Sequence, residues 1–125
     1  MRWTRRLWMT LAAISGFVSV TAGAFAAHGL TDRASGVMRT GATYEFMHAL
    51  ATMACALFMQ IGAQRARFAP AFFLSGTVLF SGSLYALALG APHWTGIVTP
   101  FGGLLFLAGW AVLAWAARGV DKTAA

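Results

Sequence analysis

Apolar residues fall into four long blocks, Leu7–Ala27, Tyr44–Ile61, Phe68–Leu89 and Ile97–Ala117, separated by short polar connections. Each block is close to the roughly 20 residues that cross a hydrocarbon core of about 30 Å. A closed β-barrel would instead need alternating segments of about ten residues, and four of those cannot close, so backbone groups in lipid must be satisfied within helices. The pattern predicts an all-α fold: an integral membrane bundle of four transmembrane helices, in a single domain over residues 1–125. Thr43 is placed to cap the second helix, and Thr99-Pro100 to cap and open the fourth, while Gly62 and Gly90 stand where the second and third helices should end. The longest connection carries Leu30, Ala34, Val37 and Met38 at helical spacing between Thr31 and Gly41. That spacing predicts a short helix over residues 31–40, lying on the membrane surface.

Composition strengthens this picture. Of 125 residues, 59% are hydrophobic and 10% charged, against about a quarter charged in a soluble domain. Large multidomain enzymes, disordered tails and collagen-like fibres are excluded. A formal charge of +6 would suggest nucleic acid for a soluble protein. Here the basic residues stand singly or in pairs between apolar blocks, with no basic groove interleaved with aromatics, so the expected partner is the lipid bilayer and not a nucleic acid. Arg2, Arg5, Arg6, Arg65, Arg67, Arg118 and Lys122 fall on one side of the predicted bundle, Arg33 and Arg39 on the other. The positive-inside rule then puts both termini in the cytoplasm, with Trp3, Trp8, Phe68 and Trp115 near the inner interface and Trp94 near the outer one. The first block also fits a cleavable signal peptide, since basic residues precede it and Ala24, Ala26 and Ala27 follow. Its length favours retention, as does the small-residue face Ala12, Gly16, Ser19, Gly23 and Ala27, which suits close helix packing. Gly76, Gly82, Gly102, Gly103 and Gly109 likewise predict tight helix contacts or a homo-oligomer interface.

Polar chemistry gathers in the predicted outer half, at His28, Asp32, Glu45, His48 and His93. Glu45 and His48 share a helix face, and Tyr44, His48, Thr52 and Cys55 continue a stripe down the second helix. Thr77, Ser81 and Tyr85 recur every four residues on the third, with Ser83 beside them, so a hydrogen-bonded seam between the two helices is the favoured reading. In that reading Glu45 occupies a first helical turn, where the macrodipole favours a carboxylate. Two ligand readings compete with it: zinc or iron held by Glu45 and His48 with His28 or His93, and haem held by His28 and His48. A single E-x-x-H is a weak metal signal, because di-iron bundles repeat it and add two more carboxylates, whereas this chain has three acids in all. Proton-coupled transport, as in four-helix small multidrug exporters, needs a membrane-embedded carboxylate. With the second helix starting at Tyr44, Glu45 would lie only about one turn inside the interface. One cysteine forms no internal disulfide, and no phosphate loop, nucleophile elbow or paired catalytic carboxylates occur. The chain is read as a non-enzyme, and no cofactor is specified.

The chain carries, in order, the blocks Gly23-Ala24-Phe25-Ala26-Ala27-His28, Thr40-Gly41 leading into Tyr44-Glu45-Phe46-Met47-His48, Leu79-Phe80-Ser81-Gly82-Ser83-Leu84-Tyr85, Thr99-Pro100-Phe101-Gly102-Gly103 and Phe106-Leu107-Ala108-Gly109-Trp110. Together they resemble the YgdD-like family of small inner-membrane proteins. The resemblance implies a four-helix protein of the bacterial cytoplasmic membrane, with mitochondrial relatives and no established molecular function. It points to His28, Tyr44, His48, Ser81, Gly82, Ser83, Tyr85, Thr99, Pro100 and Gly103. The candidate polar cluster is thus His28, Tyr44, Glu45, His48, Ser81, Ser83, Tyr85 and Thr99, with His28 and His48 the candidate metal ligands. The family commonly carries Gln where this chain has Glu45, which weakens any mechanism that requires a carboxylate there.

Overall fold

The computed structural model describes residues 4–121; Arg2, Trp3 and Lys122 lie outside them. Four helices account for most of the chain: α1 (Arg5–His28), α2 (Asp32–Phe58), α3 (Ala69–Ala88) and α4 (Thr99–Ala116). Short 3₁₀ turns at Met59–Ile61, Gln64–Phe68, His93–Ile97 and Ala117–Gly119 fill the connections and the C-terminal end, and no strand occurs among the described residues.

Local chemistry explains most of the boundaries. Thr4 Oγ1 accepts the Leu7 N–H at 3.2 Å and caps α1. Gly62 and Gly90 adopt φ of 108° and 103°, left-handed values that glycine takes without a Cβ penalty, and they close the ends of α2 with its 3₁₀ extension and of α3. Pro70 and Pro100 occupy the first turns of α3 and α4, where their missing N–H groups are not needed. Thr99 is the first helical residue of α4 and not its cap, because its hydroxyl is committed to Ser83.

The predicted surface helix is not a separate element. Residues 31–40 run without a break into the second apolar block as α2, and Thr43 lies exposed inside that helix instead of capping it. Gly41, read from the sequence as a stop, permits close approach: a Cβ there would lie 2.7 Å from the Tyr85 ring, and the Gly41 carbonyl accepts a hydrogen bond from Ser81 Oγ at 2.7 Å. No proline interrupts the stretch, and packing against α3 compensates for the weak helix propensity of glycine.

The helices are inside out relative to a water-soluble bundle. Phe17, Val78, Leu107 and Leu104 are each more than 60% exposed. The buried positions hold Ser15, Ser19, Glu45, His48, Thr52, Thr77, Ser81 and Ser83 beside many alanines. In water such a surface would aggregate; against acyl chains it is matched. α1, Gln64–Ala88 and His93–Gly119 are long and apolar enough to cross a membrane. α2 is long enough but carries Asp32, Arg33, Arg39 and Glu45.

Antiparallel neighbours pack in chain order, α1 on α2, α2 on α3 and α3 on α4, and α1 only grazes α3. Glycines set the α3–α4 distance. A Cβ on Gly102 would sit 2.3 Å from the Phe80 backbone N, one on Gly76 would meet Phe106 at 2.7 Å, and one on Gly109 would meet Phe73 at 2.5 Å. Gly103 and Gly82 are not part of this contact, with a nearest neighbour at 4.0 Å for the first and open space at the second. On α1 the buried face is Trp8, Ala12, Ser15, Ser19 and Ala26, rotated from the predicted stripe so that Gly16 is left facing open space and Ala27 is exposed. Trp8, expected in the interfacial belt, is buried at 3% exposure.

Candidate functional site

The depth of α2 decides the character of the site. Ser35 Oγ donates to the Ala26 carbonyl at 2.7 Å, which registers the start of α2 against the end of α1. Glu45 then lies 13 residues into α2, about 20 Å along its axis, level with Ser15 in the middle of α1. The expectation of a carboxylate one turn below the surface, in the field of a helix N-terminus, is corrected: the helix begins three turns earlier than the apolar block.

At this depth the Glu45 carboxylate is 5% exposed and accepts two hydroxyls. Ser15 of α1 donates to Oε2 at 2.9 Å, and Tyr85 of α3 donates to Oε1 at 2.6 Å. Each oxygen thus binds a different neighbouring helix. Burial of a carboxylate is costly unless its lone pairs are occupied, and here they are occupied by groups that themselves need an acceptor in an apolar surrounding.

One turn deeper, His48 ties in the fourth helix. Trp110 of α4 donates its indole N–H to Nε2 at 3.0 Å, and Nδ1 lies 2.7 Å from the Tyr44 carbonyl in the preceding turn of α2. An acceptor role for Nε2 leaves the proton on Nδ1, so these two partners select one neutral tautomer. The ring is also stacked on Phe106, with centroids 3.6 Å apart and planes 8° from parallel. Below it the Thr52 hydroxyl donates to the His48 carbonyl at 2.7 Å. Further inward come Cys55 and Phe73, both fully buried in a core with Ala51, Ala63, Ala66, Ala69 and Ala116.

The candidate cluster is therefore only partly assembled. Glu45 meets Tyr85, while Ser81, one turn before Tyr85 on α3, donates to the Gly41 carbonyl of α2, and His48 takes its side-chain hydrogen bond from Trp110. Ser83 and Thr99 join each other by a hydrogen bond that fastens the start of α4 to α3, a separate contact from the Glu45–His48 pair. Thr77 donates back to the Phe73 carbonyl of its own helix and does not reach α2. Tyr44 is 40% exposed; its ring leans on Phe80 with centroids 4.7 Å apart and lies parallel to the His48 ring at 6.3 Å, and its backbone carbonyl faces His48 Nδ1. His28 is not part of the site. It is exposed at the end of α1, beside the start of α2, and His48 lies 13 residues beyond Ser35, about 20 Å away along the helix. One iron or zinc cannot be ligated by both. His93 is exposed in the connection between α3 and α4, and among the described residues no three His, Cys, Asp or Glu side chains gather as a metal ion requires. In this structure the Nε2 atom of His48 is engaged by the Trp110 indole N–H.

Two residues of the site escaped the sequence reading. Ser15 is absent from the predicted small-residue face, although it shares a buried face with Ala12 and Ser19. Trp110 is given no role by the helical spacings. A tryptophan in mid-block is itself a signal, since a buried indole N–H needs an acceptor and the apolar stretch after Thr99 supplies no side-chain one.

Residues 22–103, which include Glu45, His48 and Tyr85 but not Ser15, Phe106 or Trp110, match the family described as a protein of unknown function, DUF423. The chain belongs to that family. A membrane protein of the UPF0382 group from Haemophilus influenzae is 45% identical over 112 residues, covering 86% of this chain and 90% of that protein. The UPF0382 inner membrane protein YgdD of Escherichia coli strain K12 is 44% identical over 115 residues, 88% of each chain. A UPF0382 membrane protein of Staphylococcus epidermidis is 36% identical over 112 residues, covering 86% and 92%. No solved structure matches the chain. Membership agrees with the inverted polarity of the bundle: this is a helical membrane protein of a family without an assigned function.

Proposed function

We propose that the protein crosses the bacterial cytoplasmic membrane four times, with both termini in the cytoplasm, and serves there as a structural or interaction module without a reaction or cofactor of its own. The carrying observation is the Glu45–His48 pair, whose partners come from all three other helices: Ser15 of α1, Tyr85 of α3 and Trp110 of α4. Such a lock holds one arrangement of helices in lipid, where apolar surfaces alone discriminate weakly between packings. As the fourth span, α2 has a length of about 40 Å. Its charged Asp32, Arg33 and Arg39 are exposed toward the outer end, from which long side chains reach the headgroups. The open faces at Gly16 and Gly82 support self-association through close helix approach.

The lock is tested through its α2–α4 bond. Trp110→Phe should lower stability in detergent by about 1 kcal/mol, and a double-mutant cycle with His48→Ala should give a coupling of about 0.6–1.7 kcal/mol. A coupling of zero would remove His48 from the lock. Topology is tested by cysteine labelling in intact cells: single cysteines at His93 and at Arg65 should react from opposite sides, while buried Cys55 stays silent. Labelling of both from one side would refute the four-span arrangement.

A second reading, small-solute or ion transport, is favoured by the depth of Glu45, because an ionisable side chain far inside a membrane bundle is costly to keep without a use. The tight packing of Cys55 and Phe73 beneath His48 weighs against a polar path to the inner face.

A further inference from the structure

At the arginine-rich end of the bundle the turn after α2 folds onto the end of α4. The Asp121 N–H donates to the Ile61 carbonyl at 3.1 Å, and Gly119 lies so close to Gly62 that a Cβ on it would meet the Gly62 carbonyl at 2.6 Å. The fold brings Arg65 and Arg118, which are 53 positions apart, to one cavity of about 260 Å³, with Gln64 also on its wall. Arg65 is already oriented, its guanidinium 4.4 Å over the Trp115 ring. No described carboxylate forms an ion pair with either guanidinium, and Asp121, the one acid at this end, is not on the cavity wall. Next to it, sharing Ala116, runs an apolar groove of about 190 Å³ between the ends of α2 and α4, bordered by Phe58, Ile61, Leu113 and Val120.

We propose that this paired cavity and groove bind one anionic diacyl phospholipid of the bilayer, its phosphate between Arg65 and Arg118 and an acyl chain along the groove. Two guanidiniums match a phosphate in charge and in hydrogen-bonding geometry. Basic pockets between helix ends at a membrane surface recognise anionic headgroups in this way. A free phosphate would use the arginines alone; the groove beside them is what selects a lipid. Arg67, whose guanidinium lies 4.4 Å over Phe68 and which is not on the cavity wall, provides an internal control.

The inference rests on the membrane-spanning reading, and the test separates the two. The purified full chain is reconstituted into nanodiscs of phosphatidylcholine, with and without phosphatidylglycerol, and tightly bound lipid is counted by native mass spectrometry after detergent extraction. One phosphatidylglycerol per chain should be retained in preference to phosphatidylcholine. Each arginine removed should weaken that retention about five-fold, and Arg65→Gln with Arg118→Gln about 30-fold, while Arg67→Gln stays within about two-fold. Arg65→Lys with Arg118→Lys, which keeps both charges, should preserve the preference for phosphatidylglycerol if the Gln pair fails to fold. Ala117→Trp, which fills the groove, should abolish retention of the diacyl lipid. Equal retention of the two lipids, equal loss in Arg67→Gln, or displacement of the lipid by millimolar inorganic phosphate would overturn the site. Failure to enter nanodiscs of either composition would overturn the membrane-spanning reading beneath it.

Discussion

Glu45→Ala should destabilise the bundle by about 3 kcal/mol, while Glu45→Gln should cost less than about 1 kcal/mol. The asymmetry follows from what each variant leaves behind. Alanine removes the acceptor of both the Ser15 and the Tyr85 hydroxyl, and those groups have no water to turn to. Glutamine keeps one carbonyl oxygen for Tyr85 and offers an N–H toward Ser15, whose hydroxyl can rotate to accept. By this account the two bonds ask for a two-pointed polar partner at the position, not for a charge. Reversible unfolding in mixed detergent micelles would measure both variants. The same pair separates the two functional readings. A structural lock retains its role in Glu45→Gln, whereas proton-coupled transport in proteoliposomes would be lost with the carboxylate, and such a loss in a folded Glu45→Gln protein would sink the lock as the complete account.

Gly102→Ala should destabilise by about 3 kcal/mol, at the upper end of overpacking costs, although it adds a single methyl group. That methyl would lie 2.3 Å from the Phe80 nitrogen and 2.8 Å from the Gly76 carbonyl oxygen. Both are backbone atoms that cannot rotate away, so α3 and α4 must move apart. Separation would also disturb the Ser83–Thr99 bond at the start of α4 and the Phe73–Gly109 contact further along the bundle. Gly103→Ala is the matched control. Its nearest neighbour is a Phe80 ring atom at 4.0 Å, an ordinary contact, and the gain in helix propensity of about 1 kcal/mol should make it neutral or stabilising. Equal destabilisation by the two substitutions would show that α3 and α4 do not cross at Gly102.

Part of the site was legible in the chain because helical periodicity reports one face at a time. His48, Thr52 and Cys55 on α2, and Ser81 with Tyr85 on α3, follow from spacings of three and four residues, and all but Tyr85 are deeply buried. Tyr44 shares the spacing but stands on the margin of that face, where its ring covers Phe80 and Phe106. Periodicity does not say how far into the membrane a residue lies when polar and apolar halves of one helix are continuous. That is why Glu45 looked shallow and residues 31–40 looked like a separate helix. A glycine also reads the same way whether it ends a helix, as Gly62 does, or admits a neighbour, as Gly41 does.

What the amino-acid order determined by itself was the all-helical architecture, the apolar chemistry of the surface and the turns at Gly62 and Gly90. Each of these depends on interactions between near neighbours in sequence or on the simple excess of apolar side chains. Only the tertiary structure decided that Ser15 and Tyr85 share one carboxylate, that Trp110 answers His48, and that His28 is left outside at the far end of α1. Those pairings span 30 to 62 positions of sequence. They depend on how far one helix slides along another, a register set by backbone contacts at Gly76, Gly102 and Gly41 that no single segment encodes.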